Sequence, residues 1–362
     1  NNFEDDVFYS SQYFSDVAFD AKVNFEKVQF CSWADFTQTQ FLAFANLSRI
    51  QFYSTARFLG AQFDSLAYFY KTRFHSLANF KMAQFHKLAY FKNAQFDSLA
   101  DFSHAHFKSS SNFLNVQLPK VLKFDGTMIN KPIDLTRCQL KPGQDFCYIS
   151  LIDAPIEKLH LTYDNFRILK PDGILTRTHY QRLNSVYEKL LKNFKDQGYL
   201  SSYEMLDIEY QAFKYLQNPD YVNYRWFYII WNELRKNWTN YGYNKEWILL
   251  YVLFFLLVFT IINWLMFPYL SQKVYPVPSI NRALFGNITF RQQRYMNRTG
   301  LNFSRLDLAF YYTTIIFFGL KMSTEAINYR RSGVILIYVE YIVGLICLGY
   351  LANFIVSSQL IA

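Results

Sequence analysis

The chain has 362 residues, with 37 lysines and arginines against 28 carboxylates, a formal charge of +9. Its four cysteines (Cys31, Cys138, Cys147 and Cys347) show no metal-ligand spacing and fit a reducing compartment better than a disulfide framework. The sequence holds no phosphate loop, nucleophile elbow or His/Cys/carboxylate cluster, so no enzyme, metal or cofactor is expected.

From Phe25 an aromatic returns in steps of five and then six residues: Phe30, Phe36, Phe41, then Leu47 on the same beat, then Phe52 and on to Phe113 and Leu118. A fixed period over so many units marks a repeat architecture. An α-helix would scatter these rings around its axis, and a flat strand would reverse their side at every step of five. The chain must therefore turn a corner every five or six residues. Two positions before most of the rings stands a small residue, as at Ala34, Ala56, Ala67, Ala78, Ala89 and Ala100. Residues two apart on an extended segment point to the same side. Between them Asp or Asn recurs, as in Ala34-Asp35-Phe36, Ala78-Asn79-Phe80 and Ala100-Asp101-Phe102.

This pattern resembles the pentapeptide-repeat family, A-(D/N)-(L/F)-x-x, over residues 1–118. The resemblance implies a right-handed, four-sided β-helix with the small and large residues inside. An extra residue at every second step makes a coil of about 22 residues, and about five such coils are expected. Residues 22 apart should then be neighbours, placing Asp64 beside His86 and His75 beside Asp97. We read these as surface pairs worth at most ~1 kcal/mol each, with a metal site as the lesser alternative. Residues 1–118 carry ten basic and ten acidic residues, so neither DNA mimicry nor nucleic-acid binding is expected. A ligand or protein partner on the solenoid stays open.

Residues 119–170 alternate in short runs broken by Pro119, Gly126, Pro142, Gly143 and Pro155, and read as an irregular cap on the β-helix. Residues 171–219 carry apolar positions at helical spacing (Tyr180, Leu183, Tyr187, Leu190, Phe194; then Tyr203, Leu206, Tyr210, Phe213), with Gly198 between them. They predict a helical hairpin linker, packed on the solenoid or on a neighbouring subunit. Residues 220–246 mix Tyr and Trp with Arg225, Arg235, Lys236 and Lys245, the composition of an amphipathic helix in the headgroup layer of a membrane. The alternative is a buried aromatic core helix.

Residues 247–267 contain no charge and are long enough to cross a bilayer. Residues 334–357 form a second span, with Glu340 and Asn353 inside it. A carboxylate there costs ~3 kcal/mol on insertion scales, so it should face protein or water. Between them lie the loop 268–304 and a short apolar stretch, 305–322, with Ser304 and Asp307 placed as helix-start residues. It is too short to cross, so a re-entrant helix is expected.

This hairpin resembles the pore of two-transmembrane potassium channels: outer helix, pore helix, filter, inner helix. Leu308-Ala309-Phe310-Tyr311-Tyr312-Thr313-Thr314 is similar to the pore helix. Glu340 and Gly344 are similar to the inner-helix carboxylate and glycine hinge, with Gly349 and Asn353 further along the lining. The resemblance implies a homotetramer. The family filter reads T-V-G-Y-G-D and replaces the water around potassium with backbone carbonyls. Here Phe317-Phe318-Gly319-Leu320-Lys321-Met322 keeps one glycine and puts a lysine where the second should be, so potassium selectivity is not expected. Between the spans nine cations (Lys273, Arg282, Arg291, Arg294, Arg298, Arg305, Lys321, Arg330 and Arg331) face only Asp307 and Glu325. A vestibule ringed by such charge repels cations, so an anion-permeable or weakly selective pore is expected. Taken alone, the rule that basic loops stay inside would put this loop in the cytoplasm. The channel resemblance implies the reverse: an inner-membrane protein with its solenoid and C-terminus cytoplasmic. The alternative function is a pentapeptide-repeat scaffold held in the membrane by a non-conducting hairpin.

Overall fold

The computed structural model describes residues 2–171, 173, 175–243, 247–273, 305–319 and 333–359. The chain divides into two compact units, Asn1–Asn232 and Glu233–Ala362.

The first unit begins as a four-sided parallel β-solenoid. Its strands, most of two residues, pair one coil up: Phe30 with Phe52, Ala56 with Ala78, Phe63 with Phe85 and Ala67 with Ala89, each pair in a different sheet. Asp64 and His86 are indeed neighbours at 3.0 Å, and His75 and Asp97 at 2.8 Å, 22 residues apart. The longest sheet runs from Gln12–Tyr13 to Phe166–Ile168, and the solenoid makes about seven turns in all, the regular coils and the irregular cap together. The aromatic beat ends near residue 118, but coiling does not: Leu122 pairs with Ile149 and Ile149 with Ile168, through coils of unequal length. Mostly aliphatic side chains fill the interior there, with Phe124, Tyr163 and Phe166 among them.

The interior explains the beat. Phe14, Phe36, Phe58, Phe80, Phe102 and Phe124 form one stack, with ring centroids 4.8–5.4 Å apart. Three more columns run beside it, and alanines such as Ala34, Ala56 and Ala78 sit fully buried between them. Offset stacking adds about 0.5–1.5 kcal/mol per pair beyond area burial. The polar residue of the motif is equally explained. Asp35, Asn46, Asn79 and Asp101 each accept the backbone N–H two residues on, at 2.9–3.2 Å, and so fix a corner as an Asx-turn. The five-residue steps turn through left-handed residues, including Lys27, Arg49, Lys71 and Met82, with φ of 57–60°. That conformation costs such side chains roughly 1–2 kcal/mol. The corner N–H groups offset it by donating to the next coil, Arg49 to Tyr70 and Met82 to Ser103 at 2.8–2.9 Å.

Two helices close the solenoid's far end: α1 (Arg177–Gln197) and α2 (Leu200–Leu216). Thr176 caps α1 by accepting from the His179 N–H, and α1 ends at Gly198. Their buried residues, among them Leu190, Phe194, Leu206 and Phe213, join the core of Tyr163, Phe166 and Ile168 from the last coil. Polar contacts lock this seam. The Ser202 hydroxyl accepts the Tyr163 N–H at 2.9 Å. Glu209 accepts the hydroxyls of Tyr163 and Tyr187, both at 2.7 Å, and pairs with Lys170 at 2.8 Å. The linker hairpin therefore packs on its own solenoid. A 3₁₀ turn, Pro219–Tyr224, leads into α3 (Arg225–Thr239). Trp226, Phe227, Ile230, Trp231 and Leu234 are exposed on α3 in the single chain.

The second unit contains α4 (Trp247–Lys273), α5 (Arg305–Phe317) and α6 (Gly333–Gln359). Ala309, Tyr312 and Ile316 of α5 pack with Phe267 and Leu270 of α4 and Ile337 of α6. Phe317 packs with Phe259 and Cys347. Trp238, near the end of α3, stacks on Tyr251 and Phe255 with centroids 5.1 and 5.5 Å away. Among the described residues two helices are long and apolar enough to cross a membrane, over Trp247–Phe267 and Ile335–Ala352. Only 28% and 17% of those segments is buried within the chain, unlike the core helix of a soluble protein.

Candidate functional site in the apolar hairpin

The three helices of the second unit meet at one polar cluster. Asn263 comes from α4, Thr313 from α5 and Glu340 from α6, and all three are fully buried. The Asn263 side-chain amide donates to the Thr313 hydroxyl at 2.8 Å and to Glu340 Oε2 at 3.0 Å. Isolated polar groups in an apolar span are expensive, so each helix supplies a partner for the next. Glu340 Oε1 is also buried and has no hydrogen-bond partner among the described residues.

The lining of α6 follows from its spacing. Ile337, Glu340, Gly344 and Cys347 are buried and recur every three or four residues, so one face of α6 packs inward. Gly344 stands where α6 crosses the end of α5: a Cβ there would lie 1.9 Å from the Phe317 carbonyl oxygen. The observed packing thus uses Gly344, where the channel resemblance implies a hinge, for close approach of two helices. Gly349 lies on the exposed side of α6, with nothing within 4 Å of a built Cβ. Asn353 lies in α6.

The filter-like residues are only partly in view. Phe317 ends α5 and is fully buried, and Phe318 is half-buried. Gly319 takes a left-handed φ of 62°, its N–H donating to the Ile316 carbonyl at 3.1 Å. That is how a helix stops, so the surviving glycine has a local reason to be there. Leu320, Lys321 and Met322 lie outside the described residues, as do Ser304, Arg282, Arg291, Arg294, Arg298, Arg330 and Arg331 of the expected vestibule. Arg305 begins α5 and Lys273 ends α4.

On the solenoid the two histidine pairs are surface ladders. His75 bridges Asp97 and Gln51, and Lys141 adds a second contact to Asp97 at 2.8 Å. Partial burial works against the Asp97 carboxylate, but hydrogen bonds from Lys141 and His75 outweigh it and hold the carboxyl below its usual range. His86 uses its other ring nitrogen toward Lys108 at 2.9 Å. Among the described residues no cluster of three or more His, Cys, Asp or Glu could hold a metal ion.

The channel resemblance points to Glu340 but implies no pairing with Asn263 and Thr313. Asn263 and Glu340 carry a signal, as polar residues in otherwise apolar segments, yet their meeting with Thr313 depends on how three helices cross.

A family model described as pentapeptide repeats (9 copies) matches residues 69–117. With the parallel four-sided coil, this makes the N-terminal part a pentapeptide-repeat β-solenoid, followed by helices of which, among the described residues, two are apolar enough to span a membrane. No curated protein and no solved structure matches the chain.

Proposed function

We propose that the chain is a channel-like membrane protein rather than an enzyme. In this reading four copies assemble, each giving α4, α5 and α6 to one pore. The solenoid and its helical cap form a cytoplasmic sensing or gating domain, and the exposed aromatic face of α3 lies in the headgroup layer of the inner membrane. The observation that carries the reading is the short helix α5, held between two apolar helices by the buried Asn263–Thr313–Glu340 cluster. A simple membrane anchor needs neither a third helix too short to cross nor a carboxylate buried between helices. The basic residues between the spans support anion-permeable or weakly selective conduction, with Lys321 in the filter-like stretch.

The test is recording from purified full-length protein in planar bilayers. Discrete conductance is expected, with a reversal potential in asymmetric salt that favours anions, and Lys321→Glu should shift that potential toward cations. Silence under all ionic conditions would leave the membrane-anchored scaffold as the function. An unchanged potential would remove Lys321 from the selectivity mechanism.

A further inference from the structure

The first unit carries a cleft of about 340 Å³ along the seam between the last coils and α1. Its floor is apolar: Leu151 and Ile156 from the solenoid and Val186 from α1 are nearly fully buried. Its helical wall presents Thr178, Arg182, Ser185 and Lys189, at successive steps of four, three and four residues, which keeps them on one face. Arg182 and Lys189 are exposed, and neither forms an ion pair with any described carboxylate. One carboxylate, Asp153, stands on the opposite rim, on a left-handed corner with φ 57°.

Each part restricts what fits. The volume is within the range of small-molecule sites and falls at a seam between structural elements, where such sites concentrate. Two cations about 10 Å apart along a helix (seven residues at 1.5 Å each) suit a ligand whose anionic group is held at one end or bridged between them. Hydroxyls between the cations add oxygen-directed donors, and Thr178 lies in the first turn of α1, where the helix end favours negative charge. The buried aliphatic floor calls for an apolar or flat body beneath that anion. Asp153 can accept hydrogen bonds from hydroxyls or amines on the ligand's far side.

We propose that this cleft binds an organic phosphate of about nucleotide size, with Arg182 and Lys189 holding the phosphate and Leu151, Ile156 and Val186 taking the body. The site lies wholly within the first unit and stands whether or not the apolar hairpin conducts.

Isothermal titration calorimetry on the full chain in neutral detergent tests it. The probes are a nucleoside monophosphate, glycerol phosphate as the headgroup of a phospholipid, and inorganic phosphate. Saturable binding of the nucleotide is expected. It should weaken about tenfold in R182E and in K189E and vanish in the double variant, with the melting temperature unchanged because both side chains are exposed. Binding of glycerol phosphate at equal strength, lost in the same variants, supports the site and assigns the phosphate to a lipid headgroup. Equal binding of inorganic phosphate overturns the role of the apolar floor. The absence of heat with every probe, or affinity indifferent to both charge reversals, overturns the proposal.

Discussion

Gly344 has no side chain because α6 passes directly over the carbonyl of Phe317. Ala at that position would force backbone apart, a cost of about 1–3 kcal/mol for an overpacked core. Gly344→Ala should lower the melting temperature of the protein in detergent, whereas Gly349→Ala, which meets nothing, should leave it unchanged or raise it by removing a helix-interior glycine. Equal effects of the two substitutions would contradict the packing described. On the solenoid the same logic runs through the backbone. Lys71 and Met82 tolerate left-handed corners because the adjacent coil holds their N–H groups, so residue type there says little about conformation. The acidic residue Asp97 carries a separate expectation. Its carboxyl is held low in the folded chain, so its contribution to stability is present above about pH 4 and fades as pH falls through the lowered value.

Elements of the solenoid are one coil thick, and each is stabilised by its neighbours. Phe58 lies between Phe36 and Phe80, with centroids 4.9 and 4.8 Å away, and touches Phe69 edge-on at 5.6 Å. Phe58→Ala should cost about 3–5 kcal/mol in urea unfolding, because rings above and below prevent collapse of the cavity. Phe58→Leu should cost under about 1.5 kcal/mol, since the neighbouring column already accommodates Leu47 at the same beat. A leucine variant as unstable as the alanine variant would show that ring stacking, not filled volume, holds the coil. The aromatic beat and the register were legible in the sequence because the interior repeats itself. Residues 119–170 were legible as an irregular end of the β-helix, but their pairing was not, because mostly aliphatic residues fill those coils with no fixed spacing between paired residues.

At the scale of the whole first unit, the solenoid and α1–α2 share one core, so the unit should unfold as a block rather than from its cap inward. The seam supplies a test. Burial, reinforced by the Glu209 charge beside them, raises the Tyr163 and Tyr187 hydroxyls above the ordinary tyrosine value near 10. A raised value in the folded state means stability present below about pH 10 and lost as pH rises beyond it. Thermal unfolding followed by circular dichroism should therefore weaken steeply above pH 10, and Tyr187→Phe should blunt that loss while lowering stability near neutrality by about 1 kcal/mol through the lost hydrogen bond. A stability flat to pH 12 would contradict the buried hydroxyl pair.

Local spacing determined the repeat, the two apolar helices and the short helix between them; together with the four-sided coil that the family resemblance implies, it also gave the coil length and the neighbours Asp64–His86 and His75–Asp97. Each of these depends on residues close in sequence or on a strict period, where steric and burial preferences act without reference to the rest of the chain. Tertiary structure decided what meets at a distance. It set Asn263, Thr313 and Glu340 within one hydrogen-bonded cluster, gave Gly344 its close approach to Phe317, seated α1 and α2 on the last coil through Glu209, and opened the cleft between α1 and the solenoid. Such meetings depend on how helices cross and how coils end, and no periodicity in the chain encodes a crossing.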